Sequence, residues 1–136
     1  MTKDEREAFL AGLHVGVLAI EEPKRGPLAL PIWYLVDDEG DVLIRISTGT
    51  LKERLLLAAG RATMTVQDEA PPYKYLSVEG PVTMTPATDD AFVMATRYLG
   101  AELGRWYADE NDGGEATVVV RLRPEHWRTY DFGKVL

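Results

Sequence analysis

The chain has 136 residues, a formal net charge of −7 and no cysteine. That length suits one domain with a real core, the charge argues against general binding to nucleic acid, and the missing thiols exclude disulfides and thiolate metal sites. No apolar run is long enough to span a bilayer, and the first residues lack the basic-then-apolar order of a signal peptide; with the absent cysteines this points to a cytoplasmic protein with no membrane partner.

Thr2 and Glu5 have capping-box spacing ahead of a short helix that Gly12 stops. His14 to Ile20 reads as a strand, and the Pro- and Gly-punctuated stretch from Glu21 to Pro27 as a turn. Leu28 to Val36 is a second strand, Asp37 to Asp41 a tight solvated hairpin loop, and Val42 to Ser47 a third strand. A helix follows over Leu51 to Ala59, closed by Gly60. Ala62 to Gln67 is a fourth strand, and Tyr73 to Thr85 a long fifth one bent near Gly80-Pro81. Thr88, Asp89 and Asp90 cap a helix running to about Leu103, whose Phe92 and Tyr98 read as core. Arg105 to Gly114 reads as a polar loop. Glu115 to Arg123 is the last strand, which His126 to Phe132 extends after a break at Pro124. Short links and the absence of regular strand–helix alternation favour an antiparallel barrel over a doubly wound sheet.

The stretch "STGTLKER", Ser47 to Arg54, stands out. Thr50 and Glu53 form a capping box that sets the helix start, yet Lys52 and Arg54 put two cations where the helix already carries partial positive charge. Free N–H groups, the hydroxyls of Ser47, Thr48 and Thr50, and the close backbone approach that Gly49 permits would suit a phosphate. The pattern is not a Walker motif, and Lys52 as a solvated surface residue is the competing reading. Alternation in "VLIRIS" puts Arg45 and Ser47 on one face of the third strand. If that strand pairs as a hairpin with the second, Pro31 and Trp33 lie beside them, and cation, hydroxyl and indole together suit a planar ring bearing a phosphate. A solvent-facing Arg45 on an amphipathic strand is the alternative.

The segments "GVLAI", "GPLALPIWYLVDDEGDVLIRIS", "LKERLLLAAGRATMTVQDEAPPYKYLSVEGPVTM" and "HWRTYDF" together resemble the split β-barrel superfamily of flavin- and deazaflavin-binding proteins that includes pyridoxamine 5′-phosphate oxidase. Within it the chain looks most like the branch using coenzyme F420, the flavin/deazaflavin oxidoreductases of the B type. The resemblance implies a mainly β fold with flanking helices, an antiparallel six-stranded split β-barrel of the FMN-binding, PNPOx-like kind. It also implies a homodimer with the cofactor in a groove between protomers, and Lys52 and Arg54 at its phosphate. By the same carry-over Ser47 is a strand-end hydroxyl facing the cofactor, Pro31 and Trp33 lie near the ring, and Tyr73 and Lys74 lie near the groove. Two positions depart from the family pattern: Leu55 stands where many relatives have Asn, and Ala59-Gly60 where they have an acidic residue and Pro.

The implied activity is hydride transfer from reduced F420 to a small unsaturated substrate, with the cofactor supplying the hard chemistry; no catalytic residue is singled out. An FMN-binding oxidoreductase, and a non-catalytic carrier of F420, flavin or haem, are the alternatives. His14 and His126 are the only histidines, expected in structural or surface roles rather than as iron ligands. No metal site is expected.

Overall fold

The computed structural model of the protein describes residues 1–89, 91–111 and 116–136. Along the chain it runs α1 (Lys3–Ala11), β1 (Gly16–Ile20), β2 (Leu28–Ile32), β3 (Leu35–Val36), β4 (Val42–Ser47), α2 (Leu51–Ala59), β5 (Arg61–Asp68), β6 (Lys74–Pro86), α3 (Phe92–Asn111), β7 (Thr117–Leu122) and β8 (His126–Asp131), then a 3-10 turn over Phe132–Lys134. All strand pairings are antiparallel. They follow the path β2-β1-β5-β6-β7-β4-β3, with β8 on β6 off that path. The ends of the path do not pair, yet they are consecutive in sequence, since only Trp33 and Tyr34 separate β2 from β3. The result is a curled, open sheet, a split barrel whose seam is crossed by chain rather than by a ladder of hydrogen bonds.

Among the described residues eight strands replace the six expected, for two physical reasons. The predicted second strand breaks at the seam, where the Tyr34 N–H leaves the ladder and donates to Tyr98 Oη at 3.0 Å. The segment after Pro124 does not extend β7 but turns back to pair with β6, Glu79 opposite His126 through Lys74 opposite Asp131. The expected pairing of the second and third strands also gives way: β2 pairs with β1, and the hairpin partner of β4 is the short β3.

The bend predicted near Gly80-Pro81 is where β6 changes partner, from β8 up to Glu79 to β7 from Val82 onward. Gly80 is required there, because a Cβ would sit 1.7 Å from the Arg123 carbonyl oxygen. Alternation explains the core. Leu18 and Ile20 of β1, Val42, Ile44 and Ile46 of β4, Met64 and Val66 of β5, Leu76 and Val78 of β6, and Val120 and Leu122 of β7 all point inward and are buried. Leu55 and Leu56 of α2 and Leu10 of α1 join the same cluster.

The last helix departs most from expectation. It begins at Phe92 rather than at Thr88, so Asp89 precedes its first turn, and it continues through the predicted loop to Asn111. Asp90 and Glu115, read as a capping acid and a strand start, lie outside the described residues. Gly100, at φ 83° and ψ 168°, breaks α3 in two, a conformation essentially confined to glycine. The halves fold back on each other: a Cβ on Gly104 would fall 2.8 Å from the Thr96 backbone, and the Arg105 guanidinium lies 4.7 Å from the Phe92 ring centre.

The hairpin from Asp37 to Asp41 is solvated at its tip, where Asp38, Glu39 and Gly40 are exposed, but not at its base. Asp41 is 2% exposed, and its carboxylate accepts from Arg121 at 3.0 Å and Arg123 at 3.2 Å. Arg121 also bonds Asp37, whose own carboxylate takes the Glu39 and Asp41 N–H groups. Partial burial of Asp37 opposes ionisation, but the Arg121 contact and these N–H groups outweigh it and hold the carboxyl below its ordinary range. Asp37, Glu39 and Asp41 could in principle gather round a cation, but two guanidinium groups already answer their charge. Among the described residues, no helix is long and apolar enough to cross a membrane.

Candidate functional site

The seam and α3 together make a cleft. Tyr98, from the first half of α3, plugs the gap between β2 and β3. Besides accepting the Tyr34 N–H, its Oη lies 2.7 Å from the His14 carbonyl oxygen and 3.1 Å from that of Tyr34. One hydroxyl thus answers backbone groups that have no strand partner, which is how an open barrel avoids buried orphan polar groups. Arg97 adds a second tie, donating to the Gly12 carbonyl at 2.6 Å and that of Ala11 at 3.0 Å. Tyr34 itself is fully buried, donates to the Leu10 carbonyl at 2.6 Å and is pushed well above the ordinary tyrosine range by burial. It is a structural phenol, not an acid–base group.

With α3 held in this way, a cleft of about 350 Å³ opens between it and the face of β4 that points away from the core. Pro31, Trp33, Arg45, Ser47 and Lys52 line it. These are five of the nine residues singled out in the sequence, and the seam explains how they meet although β2 and β4 do not pair. Trp33 sits on the crossing chain and faces α3, stacked on Tyr98 at 5.0 Å and 6° and tilted against Tyr107 at 5.2 Å. Arg45 and Ser47 stand on alternate residues of β4, and Lys52 follows in the first turn of α2.

The start of α2 is built as predicted in part. Thr50 is the N-cap and accepts from the Glu53 N–H at 3.4 Å, but the Glu53 carboxylate takes the Gly49 N–H at 2.9 Å rather than that of the cap residue. The Thr50 hydroxyl donates to the Ser47 carbonyl at 2.9 Å, leaving the Ser47 side-chain hydroxyl without a partner among the described residues. Lys52 and Arg54 likewise have no carboxylate partner there, whereas Arg45 is paired with Asp89. Thr48 is turned away, its hydroxyl 3.3 Å from the Ala116 carbonyl. Arg54 is exposed and does not line the cleft. Tyr73 and Lys74 are elsewhere: the Lys74 ammonium lies 5.2 Å from the Phe9 ring centre at the far end of β6, and Tyr73 is exposed just before it.

The contribution of α3 was not among the residues expected from the sequence. Met94, Ala95, Tyr107 and Asn111 form the opposite wall, and two of these fell in the predicted loop. The available signal was the spacing of Gly104 and Ala108, both buried, one helical turn apart and small enough for close helix contact. The reading of Phe92 and Tyr98 as core also needs correction: both are half-buried, and Tyr98 is a polar plug. Neither histidine lines the cleft. His14 packs on Phe9, with ring centres 4.5 Å apart and Nδ1 3.9 Å from Asp68, and His126 is exposed on β8.

A larger hollow of about 660 Å³ lies between α1 and the β3–β4 turn, but its charged lining includes Asp37, Asp41 and Arg123, which are engaged in the ion-pair cluster already described. The cleft differs in holding an ammonium and a hydroxyl that have no partner among the described residues, beside aromatic rings. Residues 2–131 match the family model described as pyridoxamine 5′-phosphate oxidase. The chain belongs to that family. No curated protein sequence matches it. Among solved structures, the conserved hypothetical protein Rv2991 from Mycobacterium tuberculosis superposes with a TM-score of 0.79 at 21% identity, over 99% of this chain and 88% of that one. A protein described as an F420 reductase gives 0.63 at 26% identity, over 90% and 94%. An FAD-binding protein from Mycobacterium smegmatis gives 0.58 at 17%, over 96% and 98%. The first and last of these show the fold alone.

Proposed function

We propose that the protein is an oxidoreductase that binds coenzyme F420 in the cleft between β4 and α3 and uses it to reduce a small unsaturated organic molecule. One observation carries the reading: in a chain of net charge −7, Lys52 stands at the start of α2 with no carboxylate partner among the described residues, beside a Ser47 hydroxyl equally unpartnered among them, on the same cleft as Trp33. A phosphate fits there, since the first N–H groups of α2, the ammonium and the hydroxyl all donate. The cleft volume suits the ring portion of a cofactor rather than a whole extended one. Pro31 and the Trp33–Tyr107 pair give that ring an apolar edge to lie against. Arg54, two residues after Lys52 and outside the cleft, adds positive charge at the same helix end.

When bound, the reduced cofactor would supply a hydride to an activated double bond, with the balancing proton drawn from solvent. The protein's part is to hold the phosphate, to orient the ring and to exclude water along the α3 wall. F420 is preferred to FMN because the F420 reductase, at 26% identity, is the most similar in sequence of the three structures described. FMN remains the second reading, from the family's description as an oxidase. Haem is disfavoured at this cleft because neither histidine reaches it.

Tyr73 and Lys74 join the site only if a second copy brings them. The outer face of β6 and β8 offers a surface for such a homodimer. Tyr75 and Tyr130 stack at 6.0 Å, Phe132 lies 6.5 Å further on, and all three are exposed; Tyr73 continues that face by strand alternation.

The test is titration of the purified protein with F420 and with FMN, followed by ring fluorescence, and then turnover of an enone by reduced F420. Saturable F420 binding tighter than that of FMN, with substrate-dependent oxidation of the reduced form, is expected. Tight FMN binding with no response to F420 would transfer the assignment to the flavin, and absence of binding by either would remove it.

A further inference from the structure

Arg45 and Lys52 line the same cleft but are not equivalent. Lys52 has no partner among the described residues, whereas both terminal nitrogens of Arg45 are held by Asp89, Nη1 to Oδ1 and Nη2 to the main-chain oxygen, each at 3.1 Å. The pair is lopsided. The Arg45 side chain is only 16% exposed, while that of Asp89 is 70% exposed. Asp89 belongs to no strand or helix; it reaches the cation from the chain between β6 and α3.

Compare the other cluster on β7, where buried Asp41 is clamped by two arginines and the anion is the sequestered partner. Removing that anion would leave positive charges facing each other. In the cleft it is the cation that is sequestered, and among the described residues no carboxylate lines the wall around it. A cation so placed needs an anion, but the one it has stays mostly hydrated and regains its water on release. It also offers Arg45 one charged oxygen and one neutral carbonyl. A phosphate or carboxylate offers two charged oxygens to the same planar fork, the arrangement guanidinium groups bind best.

We propose that Asp89 is a built-in counter-ion which competes with the ligand's anionic group for Arg45, so that this pair sets how strongly the cleft favours anionic ligands. The ligand class is a molecule with an acidic group that reaches Arg45 when Lys52 and Ser47 are also engaged. The inference deepens the cofactor reading above, and its test separates the two.

The probe is inorganic phosphate, followed by NMR on the Trp33 indole N–H resonance in the wild type, Asp89→Asn, Arg45→Gln and the double variant. Asp89→Asn is expected to tighten phosphate about two- to fivefold, the worth of a part-exposed ion pair. In the Arg45→Gln background the same change should have no effect. Asp89→Ala should behave as Asp89→Asn, which separates competition from a structural contact. The proposal is overturned if Asp89→Asn leaves phosphate affinity unchanged or weaker in protein of wild-type melting temperature. Equal tightening with Arg45 removed overturns it too, since that is a general charge effect, as does a Trp33 signal that no variant shifts. F420 and FMN titrated in parallel distinguish the two readings. If neither binds while the phosphate pattern holds, the cofactor reading falls and the counter-ion stands; if either binds while Asp89→Asn leaves phosphate affinity unchanged, the reverse is true.

Discussion

Replacing Tyr98 by Phe removes one oxygen and keeps the ring. The aromatic stack on Trp33 survives, but the Tyr34 N–H loses its acceptor, and the carbonyls of His14 and Tyr34 lose a donor within 2.7 and 3.1 Å. Tyr34 is fully buried, so water reaches its N–H only if the seam opens. A net hydrogen bond is worth about 1 kcal/mol, and a buried donor left unmet costs roughly 1–3 kcal/mol. Because the phenol is only half-buried, a total of about 2 kcal/mol is the appropriate scale. At about 2.1 cal/mol/K of unfolding entropy per residue, a chain of 136 residues has roughly 0.29 kcal/mol/K, so the melting temperature should fall by about 7 °C. Differential scanning calorimetry measures this directly, and amide exchange at Tyr34 should accelerate far more than that of β5. A melting temperature within a degree of wild type, with Tyr34 still protected, would refute the view that Tyr98 seals the barrel.

Further expectations follow from the same geometry. Gly80→Ala must displace the Arg123 carbonyl by more than an ångström; it should cost about 3 kcal/mol or more, or prevent folding, in a urea melt. Lys52→Ala combined with Arg54→Ala should weaken F420 or FMN binding at least about tenfold at low salt, and the residual affinity should lose most of its salt dependence; retained affinity in the folded double variant would move the phosphate elsewhere. Glu5, lowered to about 2 first by the Lys134 hydrogen bond and then by Thr2, is ionised and stabilising above the ordinary carboxylate range. Its contribution should fade as pH falls from about 4.5 through about 2. Glu5→Gln should flatten that part of the stability curve, and an unchanged acid limb would count against the contact. If a second copy completes the site, the protein should sediment as a dimer at micromolar concentration, and Tyr75→Lys with Tyr130→Lys should make it monomeric and weaken cofactor binding together.

What the sequence carried well was local. The boundary between β4 and α2 was legible because alternation and a Thr–Glu cap signal each other across a few residues, and the bend of β6 because Gly and Pro adjoin. Arg45, Ser47 and Lys52 do line one cleft, since strand parity and helix start are both short-range properties. What was misplaced was tertiary. The break of β2 depends on Tyr98, which lies 64 positions away. The residues of β8 pair with β6 rather than extending β7 because β6 has a free edge there, which no local pattern announces. The second half of α3 read as a loop because its inward face is Gly104 and Ala108, small residues chosen by contact with Thr96 rather than by hydrophobicity. Tyr107 and Asn111 were lost with it. Tyr73 and Lys74 came from family position alone, with no local pattern to test them, and one chain does not bring them to the cleft.

The most direct measurement is a crystal structure of the protein soaked with F420. The account predicts the ring density between Trp33 and β4, the phosphate within hydrogen-bond distance of Lys52 and Ser47, and Arg45 drawn off Asp89. Ring density elsewhere on the molecule, with Lys52 and Ser47 still unpartnered, would contradict it.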